Sequence, residues 1–216
     1  MIEYLWPTPV LRTRLSVSKD DMEFLREFSL RYASETPDAH TLPVIEGQTL
    51  KYQRNFFTRS SNTPNEIAVL ERFKSAVMKE YLAYIQEVYK VENATDLKVM
   101  IRAIPVIQTP GQRTMPHYHH TCDHVCCFYL DTGDAPESTD PRIGNGELIT
   151  CDPRPMRTFP FWEKTHWIST YPGLFVLHPA GIWHETNTFS GSGTRVLIAT
   201  TLRIESHNYT DLYCEA

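Results

Sequence analysis

From Leu97 to Ile204 the sequence is written as short runs of β-branched and aromatic residues broken by turn formers, and such a pattern makes strands rather than helices. The runs are Lys98 to Ile107, Val125-Cys-Cys-Phe-Tyr-Leu130, Glu147-Leu-Ile-Thr-Cys151, Gly173-Leu-Phe-Val-Leu-His178 and Arg195 to Ile204. The part before Leu97 reads differently. Tyr4 to Leu15 carries Pro7 and Pro9, which restricts it to an edge strand or an extended lead-in. Ser18 precedes acidic residues and then Met22, Leu25, Phe28, Leu30 and Tyr32, the spacing of a short amphipathic helix. Thr63-Pro-Asn-Glu66 is a second cap with proline at the first helical position. Ile67, Leu70, Phe73, Val77, Tyr81, Leu82, Ile85 and Val88 then predict a long helix through Tyr89. Helices followed by strands give an α+β, mainly β chain whose strands close as a sandwich.

The 216 residues suit one domain, 1–216, with helical support over about 18–90 and a sandwich core over about 97–205. A hydrophobic share of 41% and a charged share of 22% are those of a folded protein, so the chain needs neither disulfides nor a structural metal to fold. The net charge of -5, without a cluster of Lys or Arg, argues against a nucleic-acid partner. No apolar run reaches the ~18 residues of a membrane span, and no basic-then-apolar leader opens the chain, so a cytoplasmic protein is expected. Cys122, Cys126, Cys127, Cys151 and Cys214 form no C-x-x-C pair and read as reduced thiols, with Cys126 and Cys127 as small buried hydrophobes.

The chemistry concentrates in histidines. His117-Tyr-His119 puts imidazoles at i and i+2, which in a strand share a face and can share an ion. His184 follows the strand ending at His178 and the turn Pro179 to Trp183, so it can approach from a neighbouring strand and complete a facial triad. Asp123, six residues after His117, also falls on that face if the strand is unbroken, and is the alternative middle ligand. Eleven residues past His184, across the glycine turn Phe189 to Gly193, Arg195 opens an otherwise apolar strand. A buried guanidinium needs a partner, and a dicarboxylate would supply one. His120 and His124 read as structural or solvent-facing, while Trp162, His166, Trp167 and Trp183 are candidates for a substrate mouth.

His-x-His, a late histidine and an arginine about ten residues on resemble the Fe(II)/2-oxoglutarate-dependent oxygenases. More narrowly, the chain resembles a family of bacterial and phage 2OG-Fe(II) oxygenases of about this length. The matching pieces are Leu5-Trp-Pro-Thr-Pro-Val10, Pro110-Gly111 ahead of His117, Phe128-Tyr-Leu130, Gly146-Glu-Leu148 leading to Asp152-Pro-Arg154, and Gly173 through His178-Pro179 to His184 and Arg195. The middle position is His119 where the superfamily motif has a carboxylate, and Leu197 stands where a serine is frequent. His119 ranks above Asp123 because its i+2 spacing matches the motif directly.

The resemblance implies a double-stranded β-helix (jelly roll, cupin-like) in which His117, His119 and His184 hold Fe(II) and Arg195 anchors the far carboxylate of 2-oxoglutarate. It implies O2-dependent hydroxylation of a small molecule, amino acid or peptide, with release of succinate and CO2. All-histidine ligation keeps a second enzyme class open, the three-histidine cupin dioxygenases that do without 2-oxoglutarate. A non-catalytic metal-binding jelly roll is a third reading. Residues 53–63 and 131–145 are expected to border the pocket, and a homodimer is left open.

Overall fold

Ser18 ends the extended entry, its Oγ accepting from Asp21 N at 3.1 Å, and α1 (Lys19–Glu35) follows. In the computed structural model, residues 8–35, 55–58, 62–134, 144–152 and 164–205 are described. The second helix, α2 (Pro64–Tyr89), opens as its sequence asks: Thr63 Oγ1 accepts from Glu66 N, and Glu66 Oε2 accepts from Thr63 N at 2.6 Å, so two orphan donors are satisfied reciprocally. Glu66 also pairs with Arg31 and ties the two helices together. Lys90, left-handed at φ 57, closes α2. Val69, Leu70, Phe73, Val77, Tyr81, Tyr84 and Ile85 form its buried face. Ile67, expected in the core, is 48% exposed, because the true stripe runs through Val69 and Tyr84 instead.

Among the described residues eight strands follow or flank the helices: β1 (Leu11–Arg14), β2 (Val99–Gln108), β3 (His124–Asp134), β4 (Leu148–Cys151), β5 (Thr165–Ile168), β6 (Leu174–Pro179), β7 (Trp183–Thr186) and β8 (Ser192–Ile204). They make a five-stranded sheet in the order β1-β6-β3-β8-β2 and a three-stranded sheet in the order β5-β4-β7, with every pairing antiparallel. β1 is the edge strand that Pro7 and Pro9 foreshadowed. β5 was not expected, and β7 was expected only as the neighbouring strand from which His184 approaches. β3 runs on to Asp134, so the expected insertion at 131 begins inside a strand, and β8 starts three residues before Arg195.

The period of two divides the large sheet into faces with different neighbours. Phe128, Leu130, Phe175, Leu177, Val196, Ile198 and Leu202 pack against the helices, with the Phe73 and Phe128 rings 5.5 Å apart. Cys127, Tyr129, Leu174, Val176 and Leu197 point the other way and meet Leu148 and Ile168 of the small sheet. Each fully buried Phe or Leu of this kind contributes ~1.5–3 kcal/mol. The helical side therefore carries a large share of the stability, and a smaller cluster joins the two sheets.

His124 stands where α2 meets β3 and is structural, as expected. It is 4% exposed, with Nδ1 3.3 Å from Tyr81 Oη and Nε2 3.0 Å from Tyr89 Oη, and Tyr84 edge-on. Burial, only partly opposed by Asp123, lowers its pKa to about 4. Below the ordinary histidine pKa of about 6.5 the unfolded chain takes up a proton that the folded chain refuses, so this group's contribution is lost as pH falls towards 4. Urea titrations between pH 6 and 4.5 are expected to give His124→Gln a shallower loss of stability than the wild type, by up to ~1.4 kcal/mol per pH unit. Equal slopes would remove His124 as the titrating group.

Among the described residues no helix is long and apolar enough to cross a membrane. Part of the expected pocket border belongs elsewhere. Asn55 donates to Ile101 O and accepts from Ala103 N, closing the free edge of β2, and Phe57 stacks on Phe73 in the helical layer. Leu5, Trp6, Pro7, Pro153, Arg154, Trp162 and Cys214, and positions 53–54, 59–61 and 135–143, lie outside the described residues.

Candidate metal and co-substrate site

His117 and His184 are opposed across a single antiparallel bridge. His117 N donates to His184 O at 3.0 Å, and His184 N donates to His117 O at 2.9 Å. His117 thus lies on an extended segment that adds to the edge of β7, and not within a named strand as the i, i+2 argument assumed. The consequence for the side chains is the same. His119 N is fixed by Ala180 O at 2.9 Å, and the ring centroids of His117 and His184 are 4.3 Å apart, those of His117 and His119 5.0 Å, and those of His119 and His184 5.3 Å. One ligand nitrogen from each ring lies within 4.8 Å of the other two, a grouping that could hold a metal ion. Asp123 is not in that group. Its Oδ2 accepts from Ile204 N at 2.6 Å, and its carbonyl accepts from Ala180 N at 2.9 Å.

Backbone carbonyls select the ring tautomers. His117 Nδ1 lies 2.8 Å from Met115 O and His184 Nδ1 2.9 Å from Ile182 O. A carbonyl only accepts, so each Nδ1 carries the proton and each Nε2 keeps its lone pair, the arrangement metal-ligating histidines use. Burial, then the neighbouring imidazoles, lowers His119 to about 3 and His184 to about 2, and burial lowers His117. At neutral pH the rings are uncharged and ready to donate to a cation.

Further into the gap between the sheets lies Arg195, with no exposed surface. Its Nη1 donates to Gln108 Oε1 at 2.6 Å, its Nη2 reaches Thr170 Oγ1 at 3.5 Å, and its Cζ sits 5.0 Å from the centroid of the Tyr129 ring. Among the described residues no carboxylate pairs with it. Among the described residues, Arg195 Nε, Tyr129 Oη and His178 Nε2 on this side are buried without a hydrogen-bond partner. Buried polar groups are normally satisfied, so these atoms are the ones on this face with hydrogen-bonding capacity to spare. Gly146, at φ +68, lies so close that a Cβ there would meet Arg195 Nε at 2.8 Å.

Tyr129, His178 and Gln108 were missed in the sequence. Tyr129 carried a usable signal, since it shares the parity of Cys127 on β3 and of Arg195 and Leu197 on β8. Of the expected substrate mouth, Trp183 is exposed and lies 5.1 Å from the Tyr118 ring, and His166 is exposed, but neither joins the histidine group.

A double-stranded β-helix that gathers three histidines and a buried arginine without a described carboxylate partner has the layout of the Fe(II)/2-oxoglutarate oxygenases. Residues 103–200, which contain all four, match the family described as "Putative 2OG-Fe(II) oxygenase", and the resemblance read from the sequence is borne out. That family takes Fe(II), 2-oxoglutarate and O2, and the three-histidine group is consistent with iron. The match supports an oxidoreductase of the oxygenase kind.

Solved structures bear out the fold. AviO1 from Streptomyces viridochromogenes Tue57 is similar with a TM-score of 0.60 at 13% identity, over 93% of this chain and 92% of that one. A Pseudomonas putida prolyl-4-hydroxylase gives 0.57 at 13% identity, over 93% and 88%. A Trichoplax adhaerens prolyl hydroxylase, in complex with a hypoxia inducible factor oxygen degradation domain peptide fragment, gives 0.58 at 10% identity, over 95% and 87%. No curated protein sequence matches this chain.

Proposed function

We propose that the protein is an Fe(II)- and 2-oxoglutarate-dependent dioxygenase that hydroxylates a small molecule, amino acid or peptide with release of succinate and CO2. The observation that carries this reading is Arg195: a guanidinium with no exposed surface and no described carboxylate partner, on the inner face that also bears the buried Tyr129 hydroxyl. A dicarboxylic acid supplies the missing charge and acceptors. Three neutral imidazoles leave a divalent ion's charge uncompensated, which a dianionic co-substrate offsets.

His117, His119 and His184 would hold the iron, and Arg195 with Tyr129 the far carboxylate. Bound together, iron and 2-oxoglutarate supply the oxidative decarboxylation that turns O2 into an oxidant for a C–H bond. The chain's own part is to keep the imidazoles neutral, fix their tautomers through Met115 O and Ile182 O, and shut water from the arginine. Exposed Met115, Tyr118 and Trp183, next to the histidines in sequence, offer apolar surface to a substrate, and the peptide bound by the Trichoplax adhaerens hydroxylase makes a peptide a reasonable first substrate class to screen.

Oxygen consumption by the iron-loaded protein is expected to require 2-oxoglutarate and to yield succinate. Uptake without 2-oxoglutarate would favour the three-histidine cupin reading, which the all-imidazole set supports, and no uptake with any co-substrate would favour simple metal binding. Gly146→Ala forces the guanidinium aside and strains a backbone at φ +68. Half-saturation by 2-oxoglutarate is expected to rise about tenfold in that variant, and an unchanged value would detach Gly146 from the site.

A further inference from the structure

We propose that Gln108 is the positioning residue that keeps the Arg195 guanidinium aimed, charged and open to a second carboxylate. The inference rests on the co-substrate reading above. Gln108 is the last residue of β2 and the cross-strand partner of Arg195 on β8. It is 3% exposed. Its neighbours fix the orientation of its amide. Arg195 can only donate, so Oε1 faces it at 2.6 Å, while Nε2 donates to Thr186 Oγ1 at 2.9 Å and Thr114 Oγ1 at 3.2 Å.

Two properties follow from an amide at this place. A buried guanidinium needs acceptors, and Gln108 supplies one without cancelling the charge. A glutamate of the same shape would pair with Arg195 inside the protein and leave an incoming carboxylate facing a neutralised pair. The other end of the amide is anchored on the segments that carry the histidines. Thr114 lies three residues before His117 and Thr186 two after His184. The two threonines are also joined directly, Thr114 N donating to Thr186 Oγ1 at 2.7 Å and Thr186 N to Thr114 O at 3.1 Å. One side chain thus sets the distance between the arginine and the histidine group, the span an acid with a carboxylate at each end must bridge.

The test compares 2-oxoglutarate with 2-oxopentanoate, which has the same 2-oxo acid end and chain length but lacks the distal carboxylate. Calorimetry on the Fe(II)-loaded protein under nitrogen gives both affinities without turnover. Wild type is expected to prefer 2-oxoglutarate by about a hundredfold, a preference that Arg195→Ala abolishes. Gln108→Glu is expected to cut it below about tenfold, with 2-oxopentanoate affinity within about threefold of wild type. Gln108→Met, which adds no charge, is expected to lose about tenfold for 2-oxoglutarate alone, and it decides the matter if the glutamate variant does not fold. Retained preference in the folded Gln108 variants overturns the proposal, as does parallel weakening of both ligands, which marks a merely structural role. Either result leaves the co-substrate reading standing if Arg195→Ala has lost the preference. A wild type that binds both acids alike sinks that reading itself.

Discussion

His184→Ala is expected to lose iron and 2-oxoglutarate-dependent oxygen uptake by more than about a hundredfold each, while its fold survives. Residues that merely orient metal ligands are worth about 10- to 100-fold, and a ligand is worth more. β7 pairs with β4 and with His117 through backbone groups that the substitution leaves in place. Chelator competition on His117→Ala, His119→Ala and His184→Ala, with Asp123→Asn beside them, tests the whole set. The three alanine variants are expected to bind iron weakly and Asp123→Asn to bind it as the wild type does, because the Asp123 carboxylate is engaged by Ile204 N. Weak binding in Asp123→Asn, with His119→Ala unaffected, would transfer the middle position to the aspartate.

Arg195→Met separates function from stability. Removing one partner of a buried charged contact costs about 2–4 kcal/mol, so the affinity for 2-oxoglutarate is expected to fall roughly 30- to 900-fold with iron binding unchanged. The ligand-free protein should move the opposite way. In it the guanidinium is buried with no described counter-charge, and an apolar side chain of similar reach relieves that cost, so the thermal midpoint is expected to rise. A midpoint that falls, with co-substrate affinity unchanged, would make Arg195 a structural residue.

The helices and long strands were legible because their signals are local. The α2 cap is a four-residue pattern, and β2, β6 and β8 are apolar runs bounded by turn residues. β5 (Thr165–Ile168) and the bounds of β7 (Trp183–Thr186) were not, since four mixed residues carry no periodicity and become strands only through pairing with β4. The same rule divides the site. The spacing of His117 and His119, and the lone arginine opening an apolar run, can be read from neighbours in sequence. Gln108 cannot, because its meaning comes from a register that sets it opposite Arg195, 87 positions away. Whether His119 or Asp123 joins the histidine group also depended on a contact outside the motif, the grip of Ile204 on the aspartate.

The alternation along β8 has an evolutionary corollary. Val196, Ile198 and Leu202 serve the helical layer, while Arg195, Leu197 and Ala199 face the small sheet, so substitution can revise the second set while the first keeps its packing. A frame-preserving slip of the strand by one position would send both sets to the wrong face at once.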